Sequence, residues 1–167
     1  AEAISPYYFY AGLPKILVTS EIAKDLVRDP EGMYVCLPLH VEGGEWFLDK
    51  AGAFFKPGEQ LPNGCYDYYA VNRGMVLSGD RMGIAVNTLD TPMIMIGDLK
   101  LWDYTTTADT TGPVYSWLCN NKWETNFRTQ CAGYLESRYV IEVGAEVKDQ
   151  GQQVLESNEL DILVVRA

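Results

Sequence analysis

The sequence predicts an all-β protein, an antiparallel β-sandwich of the supersandwich type with one short helix near the N-terminus. About nine short apolar and aromatic runs are separated by turns rich in Gly, Pro, Asn and Asp. Helical patterns do not alternate with these runs and no repeat is found, which excludes a doubly wound or solenoid fold. The 167 residues fit a single domain, 1–167, by the usual prior of roughly 100 to 200 residues per domain.

The helical pattern lies in the first fifth of the chain. Residues 1–14 are rich in tyrosine and predict an extended lead-in, followed by a short strand at 15–19. A helix is predicted to begin at Ser20, a typical N-cap residue, and to end at the turn formed by 29–32. Its apolar face would consist of Ile22, Ala23, Leu26 and Val27.

Strands and loops are predicted for most of the remaining chain. The predicted strands are 33–40, 46–48, 68–77, 82–88, 92–96, 114–119, 134–143 and 160–165. The first two are expected to form a hairpin across the turn 42–45. Residues 49–66 predict a long ordered loop, a type that is often functional, and the Thr-rich residues 97–112 predict another loop. Residues 144–159 are charged and Gln-rich, and no element is predicted there.

Charge and hydropathy narrow the classes of partner. The formal net charge of −10 argues against binding to nucleic acid, which needs clustered Lys and Arg, and against an anionic membrane surface. No apolar run approaches the 18 or so residues that span a bilayer, and no targeting peptide is recognised at the N-terminus. The sequence therefore predicts neither nucleic acid nor membrane as a partner, and it does not indicate a compartment.

The residues that commonly carry metal or nucleophilic chemistry are sparse. Four cysteines lie far apart without a C-x-x-C pair, and His40 is the single histidine, so neither a zinc site nor a Ser-His-Asp set is predicted. The cysteines are interpreted as small buried apolar residues rather than as a disulfide framework. Asp90, Asp98 and Asp103 lie near turns, where a carboxylate usually bonds the local backbone or faces solvent.

The stretch 116–127 is the most unusual in composition, with two tryptophans and three asparagines. It permits two interpretations. As a polar rim edged by aromatic rings, it would offer amides to sugar hydroxyls and an indole face to a pyranose. As a tight turn between core strands, it would bury Trp123 and use its asparagines for the backbone. The candidate residues for facing carbohydrate or docking a domain are Asn120, Asn121, Trp123, Thr125 and Asn126.

Four segments, in matching order, resemble the C-terminal β region of glycoside hydrolase family 38, the α-mannosidases. They are 33–39 (MYVCLPL), 59–64 with 66–68 (EQLPNG, YDY), 83–92 with 97–98 (GIAVNTLDTP, GD), and 115–127 with 130–133 (YSWLCNNKWETNF, QCAG). The Asn-Asn-x-Trp-x-Thr-Asn-Phe block is the most specific of these. The resemblance covers roughly residues 33–143.

The resemblance implies the C-terminal part of a retaining exo-α-mannosidase. In that family, zinc and the catalytic carboxylates belong to an N-terminal α/β-barrel domain, and the segments matched here include none of it. We therefore expect a non-catalytic domain, inactive by itself and without zinc or another cofactor, whose partners are the catalytic domain of the same protein and a mannoside or glycan. Its docking face is expected to carry the loop 49–66 and the Asn-Asn turn. The alternative is a stand-alone carbohydrate-binding or scaffold sandwich.

Overall fold

The computed structural model describes residues 2–100, 103–121 and 130–158. Within these ranges the chain forms twelve strands and one helix. The strands are β1 (Glu2–Ile4), β2 (Tyr7–Phe9), β3 (Lys15–Lys24), β4 (Gly32–Leu37), β5 (Glu45–Lys50), β6 (Ala53–Phe55), β7 (Tyr69–Ala70), β8 (Gly74–Ser78), β9 (Gly83–Thr88), β10 (Met93–Ile96), β11 (Val114–Asn120) and β12 (Gly133–Gly144). The helix α1 spans Ala145–Ser157. The predicted strand 160–165 and the candidate residues Trp123, Thr125 and Asn126 lie outside the described residues.

The strands are arranged in two antiparallel sheets. The larger sheet has the order β1-β3-β12-β9-β8-β5-β6, with β2 also pairing β3, and the smaller sheet has the order β4-β11-β10-β7. Each described strand pair is antiparallel. The predicted fold class, an antiparallel β-sandwich, is therefore confirmed.

Apolar side chains from both sheets fill the space between them. The larger sheet contributes, among others, Trp46, Leu48, Met75, Val86 and Tyr139, and the smaller sheet contributes Leu37, Tyr69, Ile94, Ile96 and Val114. Two polar side chains of this core make hydrogen bonds that join separate parts of the chain. The indole N–H of Trp46 donates to the carbonyl oxygen of Gly112 at 3.0 Å, and the hydroxyl of Tyr139 bonds that of Ser116, in the opposite sheet, at 2.9 Å.

The helix covers the part of the outer face of the larger sheet that β8 and β9 form. Val147, Gly151 and Leu155 recur at intervals of four residues and are buried in α1. Val147 and Leu155 form a second apolar cluster with Val76 of β8 and Ala85 of β9. Because both faces of β8 and β9 are covered, nearly every residue of these strands is buried.

The prediction of a helix near the N-terminus is wrong, since the helix follows β12 instead. Ser20 and Ile22 lie in β3, which pairs with β12 along its whole length, from Lys15 opposite Glu142 to Lys24 opposite Gly133. Alternating residues of this segment, Ser20, Ile22 and Lys24, are buried. The ten-residue ladder with β12 therefore overrides the local helical pattern.

Two further predictions about the strands are wrong for one reason, which is that the chain changes sheets. The turn that ends at Gly44 joins β4 of the smaller sheet to β5 of the larger sheet, so these strands do not form a hairpin. The predicted strand 68–77 is likewise divided into β7 and β8, which lie in different sheets. The crossing occurs at 71–73, where Val71 donates to the carbonyl oxygen of Pro92 and Asn72 to that of Asp49.

No helix in the described part of the chain combines the length and hydropathy needed to cross a bilayer.

Candidate functional site

A cleft of about 650 Å³ lies between the loop that joins β6 of the larger sheet to β7 of the smaller sheet and the loop that joins β10 to β11 within the smaller sheet. Residues 62–68, which follow β6, form one wall, and residues 104–106, between β10 and β11, form the other. This volume lies within the range of roughly 300 to 1,000 Å³ that is usual for small-molecule sites. The lining includes three tyrosines, Tyr66, Tyr68 and Tyr104.

Local turn chemistry shapes the first wall. The amide N–H of Glu59 donates to the carbonyl oxygen of Lys56 at 3.1 Å, and that of Gly64 donates to Leu61 at 3.0 Å. Asn63 has a φ of 62°, a left-handed conformation that asparagine tolerates better than most residues. The side-chain amide of Gln60 donates to the carbonyl oxygen of Cys65 at 2.8 Å. These bonds order the loop without a regular element.

Asp67 joins the two walls. Its carboxylate accepts hydrogen bonds from the backbone N–H of Tyr104 at 3.1 Å, the backbone N–H of Thr105 at 3.0 Å, and the Thr105 hydroxyl. Burial disfavours the charged form of this carboxyl, which is 5% exposed, but the Thr105 and Tyr104 donors outweigh burial and hold its pKa below the usual value. Asp67 is therefore ionised at neutral pH and anchors the second wall.

Tyr104 and Tyr68 differ in their exposure and in their packing contacts. Tyr104 is 77% exposed and has a φ of 50°, a conformation maintained by the bonds to Asp67. Tyr68 is half-buried and packs edge to face on Trp117 of β11, with ring centroids 5.6 Å apart. Trp117 in turn stacks on Tyr34 of β4 at 6.0 Å. Burial raises the pKa of the Tyr68 phenol, which thus stays protonated and can donate a hydrogen bond at neutral pH.

The Asn-Asn turn begins where β11 ends, on the same strand as Trp117. Asn120 is the last residue of β11 and lies opposite Gly32 of β4. The side-chain oxygen of Asn121 accepts the backbone N–H of Glu31 at 2.6 Å, and its side-chain N–H group donates to the carbonyl oxygen of Val27 at 3.1 Å. Asn121 thus binds the segment 27–31 through both ends of its amide.

Of the five candidate residues, the structure describes Asn120 and Asn121. Asn120 ends β11 and Asn121 follows it, and Trp117 of the same strand packs against Tyr68 of the cleft, so β11 links the Asn-Asn turn to the cleft.

From the sequence, Tyr66, Asp67 and Tyr68 were named only as part of a segment that resembles the α-mannosidases, without a role in a site, and Tyr104 was not singled out. The sequence did predict a long ordered loop at 49–66, a type that is often functional. In the structure β5 extends to Lys50 and β6 spans Ala53–Phe55, so the loop is shorter than predicted, and its residues 62–66 line the cleft. No sequence signal connects Tyr104 with this loop, because the connection depends on the Asp67 carboxylate.

Asp90 and His40 lie outside the lining of the cleft. Asp90 accepts hydrogen bonds from two guanidinium nitrogens of Arg138, Nε at 2.9 Å and Nη2 at 2.8 Å, and His40 is exposed. The described residues contain no group of three or more His, Cys, Asp or Glu side chains arranged to hold a metal ion. The interpretation of the cysteines as buried is wrong, since Cys36 and Cys65 are exposed and Cys119 and Cys131 are only half-buried.

Comparison with protein-family models and with curated proteins finds no match for this chain. The resemblance to the α-mannosidases therefore rests on the four segments quoted from the sequence. Two of these segments meet at the cleft, because 62–64 and 66–68 line it and Trp117 of the last segment packs against Tyr68.

Proposed function

We propose that this chain is a non-catalytic β-sandwich domain of an α-mannosidase-type glycoside hydrolase, and that the cleft faces a mannoside. The single observation that carries the proposal is the composition of the cleft, whose lining combines three tyrosines with hydroxyl and amide groups. An aromatic face suits the C–H side of a pyranose, and phenols, hydroxyls and amides exchange hydrogen bonds with its hydroxyl groups.

The charge distribution favours a neutral ligand. The Asp67 carboxylate is turned toward the backbone of Tyr104 and Thr105, which already donate to it. The other polar side chains of the cleft are phenols, hydroxyls, an amide and a thiol. Because the whole chain also carries a net charge of −10, an anionic ligand would be repelled. A neutral sugar fits this environment.

The rim of the cleft also supports the proposed packing on a catalytic domain. Leu61, next to the first wall, is 82% exposed, and Tyr104 of the second wall is 77% exposed. Exposed large apolar side chains beside a ligand cleft are typical of a surface that a neighbouring domain covers. A sugar held between two domains would contact the cleft from one side.

Titration of the chain with an α-mannobiose, followed by amide NMR shifts, tests the proposal. We expect shifts concentrated at 62–68 and 104–106, and an affinity about tenfold lower for Tyr104→Ala, since an exposed ring is lost without disturbing the core. Tyr134→Ala is the matched control, because Tyr134 is 61% exposed but lies on β12. If a large excess of α-mannobiose causes no amide shifts at 62–68 and 104–106, the proposal that the cleft faces a sugar is refuted.

The domain assignment has a separate test in the reading frame upstream of Ala1. We expect it to encode an α/β-barrel with a zinc-binding set of Asp and His residues. If mannoside binds and the upstream frame encodes no such barrel, the chain is a stand-alone carbohydrate-binding sandwich instead.

A further inference from the structure

β1 and β2 together form one edge of the larger sheet. Both pair with β3, whose other side is occupied by β12. In β1, Ile4 lies opposite Glu21. In β2, three residues further along, Tyr7 lies opposite Val18, so the register with β3 is continuous across the two short strands. Residues 2–9 therefore run along β3 as a single extended segment, and no further strand of the described residues pairs with it.

The backbone groups of this segment point alternately toward β3 and toward the open edge. The amide N–H of Thr19 donates to the carbonyl oxygen of Pro6 at 3.1 Å, so the carbonyl group of Pro6 points toward β3. Because N–H and C=O directions alternate along an antiparallel strand, those of the odd-numbered residues point away from β3. These outward residues are Ala3, Ser5, Tyr7 and Phe9. They present a row of donors and acceptors that can pair with another strand.

The segment lacks the features that usually protect an edge strand from such pairing. Residues 3–9 contain no charged side chain, and the continuous register leaves no bulge between β1 and β2. Pro6 is present, but the N–H that proline lacks would point toward β3 and not toward the open edge. The outward backbone row is therefore accessible to another chain.

Two aromatic rings at this edge lie on the core side of the sheet without being covered. Tyr7 lies opposite Val18, which belongs to the core between the sheets. Phe9 lies opposite Ile16, which packs against that core. Residues directly opposite each other share one face of a sheet, yet both aromatic rings are exposed. The smaller sheet therefore does not extend over this edge, which leaves an apolar surface beside the open backbone row.

We propose that two copies of this chain pair through residues 2–9, antiparallel and related by a twofold axis at Pro6, so that two larger sheets become one. In this register Ala3 lies opposite Phe9 of the other copy, and Ser5 lies opposite Tyr7 of the other copy. Each outward residue then has a hydrogen-bonded partner, and each small side chain faces an aromatic one. The inference is independent of the mannoside cleft, whose lining includes none of these residues.

The charges of the segment favour a second copy as the occupant. A twofold interface requires a surface that is complementary to itself. Glu2 is the only charged side chain in residues 2–14, and in the proposed register it lies opposite Tyr10 of the other copy. Two copies can therefore meet here without placing like charges directly opposite each other, although each chain has a net charge of −10.

The exposed area also approaches what a stable dimer needs. The exposed fractions of Tyr7, Tyr8, Phe9 and Tyr10 are 60%, 51%, 75% and 49%. Because an aromatic side chain offers about 150 to 250 Å² of surface, these four expose roughly 350 to 600 Å². Ile4, which is 66% exposed, and the backbone edge add to this area. A standard specific interface buries about 800 Å² on each partner.

Sedimentation equilibrium and amide hydrogen exchange test the proposal. We expect the apparent mass to rise toward twice the 18.7 kDa of one chain as the concentration increases to about 1 mM. Over the same range, the exchange of the outward amides of Tyr7 and Phe9 should slow by about tenfold or more. The amide of Tyr8 points toward β3, so its exchange should not depend on concentration.

The variant Ser5→Lys places two like charges at diagonal positions across the proposed twofold axis, about 7 to 8 Å apart. We expect it to weaken the dimer at least about tenfold. Ser5 is exposed, so the fold of one chain should not change. Ala53→Lys is the matched control, because it alters the net charge equally at an exposed position of β6, the opposite edge of the same sheet. Its dissociation constant should equal that of the unmodified chain.

Three results would overturn the proposal. They are a chain that stays monomeric to about 1 mM, a dimer in which the amides of Tyr7 and Phe9 exchange as fast as in the monomer, and a dimer that Ser5→Lys and Ala53→Lys affect equally. If Ser5→Lys does not fold, the mass and the exchange pattern of the unmodified chain decide by themselves.

Discussion

Asn121 illustrates how a single amide can hold a loop. Its side-chain oxygen and N–H group each bind one backbone group of the segment 27–31, and its own N–H donates to the carbonyl oxygen of Glu31 at 3.1 Å. This arrangement favours the interpretation of the Asn-Asn turn as a structural corner, because the amide is already engaged. A sugar would have to compete with these bonds.

The substitution Asn121→Ala should lower the free energy of unfolding by about 1 to 3 kcal/mol, because two backbone groups lose their partner. Urea denaturation measures this change. The control is Asn72→Ala, an exposed asparagine, for which we expect a change within about 0.5 kcal/mol. If Asn121→Ala leaves stability unchanged but weakens mannoside binding, the residue faces carbohydrate instead.

Asp67 should make stability depend on pH in a defined direction. Its pKa is lowered in the folded protein, so its contribution is complete above the unfolded value of about 3.9 and is lost as pH falls through the folded pKa. Asp67→Asn should therefore be less stable than wild type at pH 7, and the difference should shrink below about pH 4. Denaturation curves across this range check the prediction, with the exposed Asp98→Asn as control. A difference that is constant with pH would contradict it.

The helix α1 depends on a close approach at Gly151. A β-carbon placed there would lie 2.8 Å from both methyl groups of Val76, which is buried in β8. Alanine normally stabilises a helix interior by about 1 kcal/mol relative to glycine, but overpacking a core costs roughly 1 to 3 kcal/mol. Here the second effect should dominate.

We therefore expect Gly151→Ala to lower the free energy of unfolding by about 1 to 2 kcal/mol. In the background Val76→Ala, where the two methyl groups are absent, the same substitution should be neutral or stabilising, which gives a coupling energy above about 1 kcal/mol. Gln153→Ala, at an exposed position of the same helix, serves as the control. Equal effects of Gly151→Ala in both backgrounds would show that contact with Val76 does not matter.

A comparison of individual strands and the helix shows which secondary structure could be predicted from the sequence. Strands such as β9 and β12 were predicted closely because their apolar runs and bounding turns are local features. The helix α1 was missed because its buried face is narrow, with Val147, Gly151 and Leu155 among charged and Gln residues, and because Gln150 interrupts the helical backbone. The segment at Ser20 has a helical pattern but forms a strand, since only the distant β12 provides its partner.

At the scale of the whole molecule, the parts of the candidate site that depend on local sequence could be predicted, and the parts that depend on contacts between distant segments could not. The Gly and Pro residues of 49–66 predicted a long loop, a type that is often functional, and the part of this segment that follows β6 includes 62–66 of the cleft. Tyr104 and Thr105 could not be assigned to that site, because they reach it through hydrogen bonds to Asp67, 37 and 38 residues away. Changes of sheet, such as the one between β7 and β8, also have no local signature.

The environment of the carboxylates predicts that the isolated chain does not hydrolyse mannosides. A glycosidase needs one carboxyl with a raised pKa as the general acid and a second carboxylate nearby. The Arg138 guanidinium holds the pKa of Asp90 below its usual value, and hydrogen bonds do the same for Asp67, so neither carboxyl keeps a proton at neutral pH.

We expect no release of chromophore from an aryl α-mannoside, with or without added zinc, and no stoichiometric zinc after dialysis. An active α-mannosidase in the same buffer is the positive control. Turnover above the buffer blank that disappears in Asp90→Asn or Asp98→Asn would place catalysis in this chain and overturn its assignment as a non-catalytic domain.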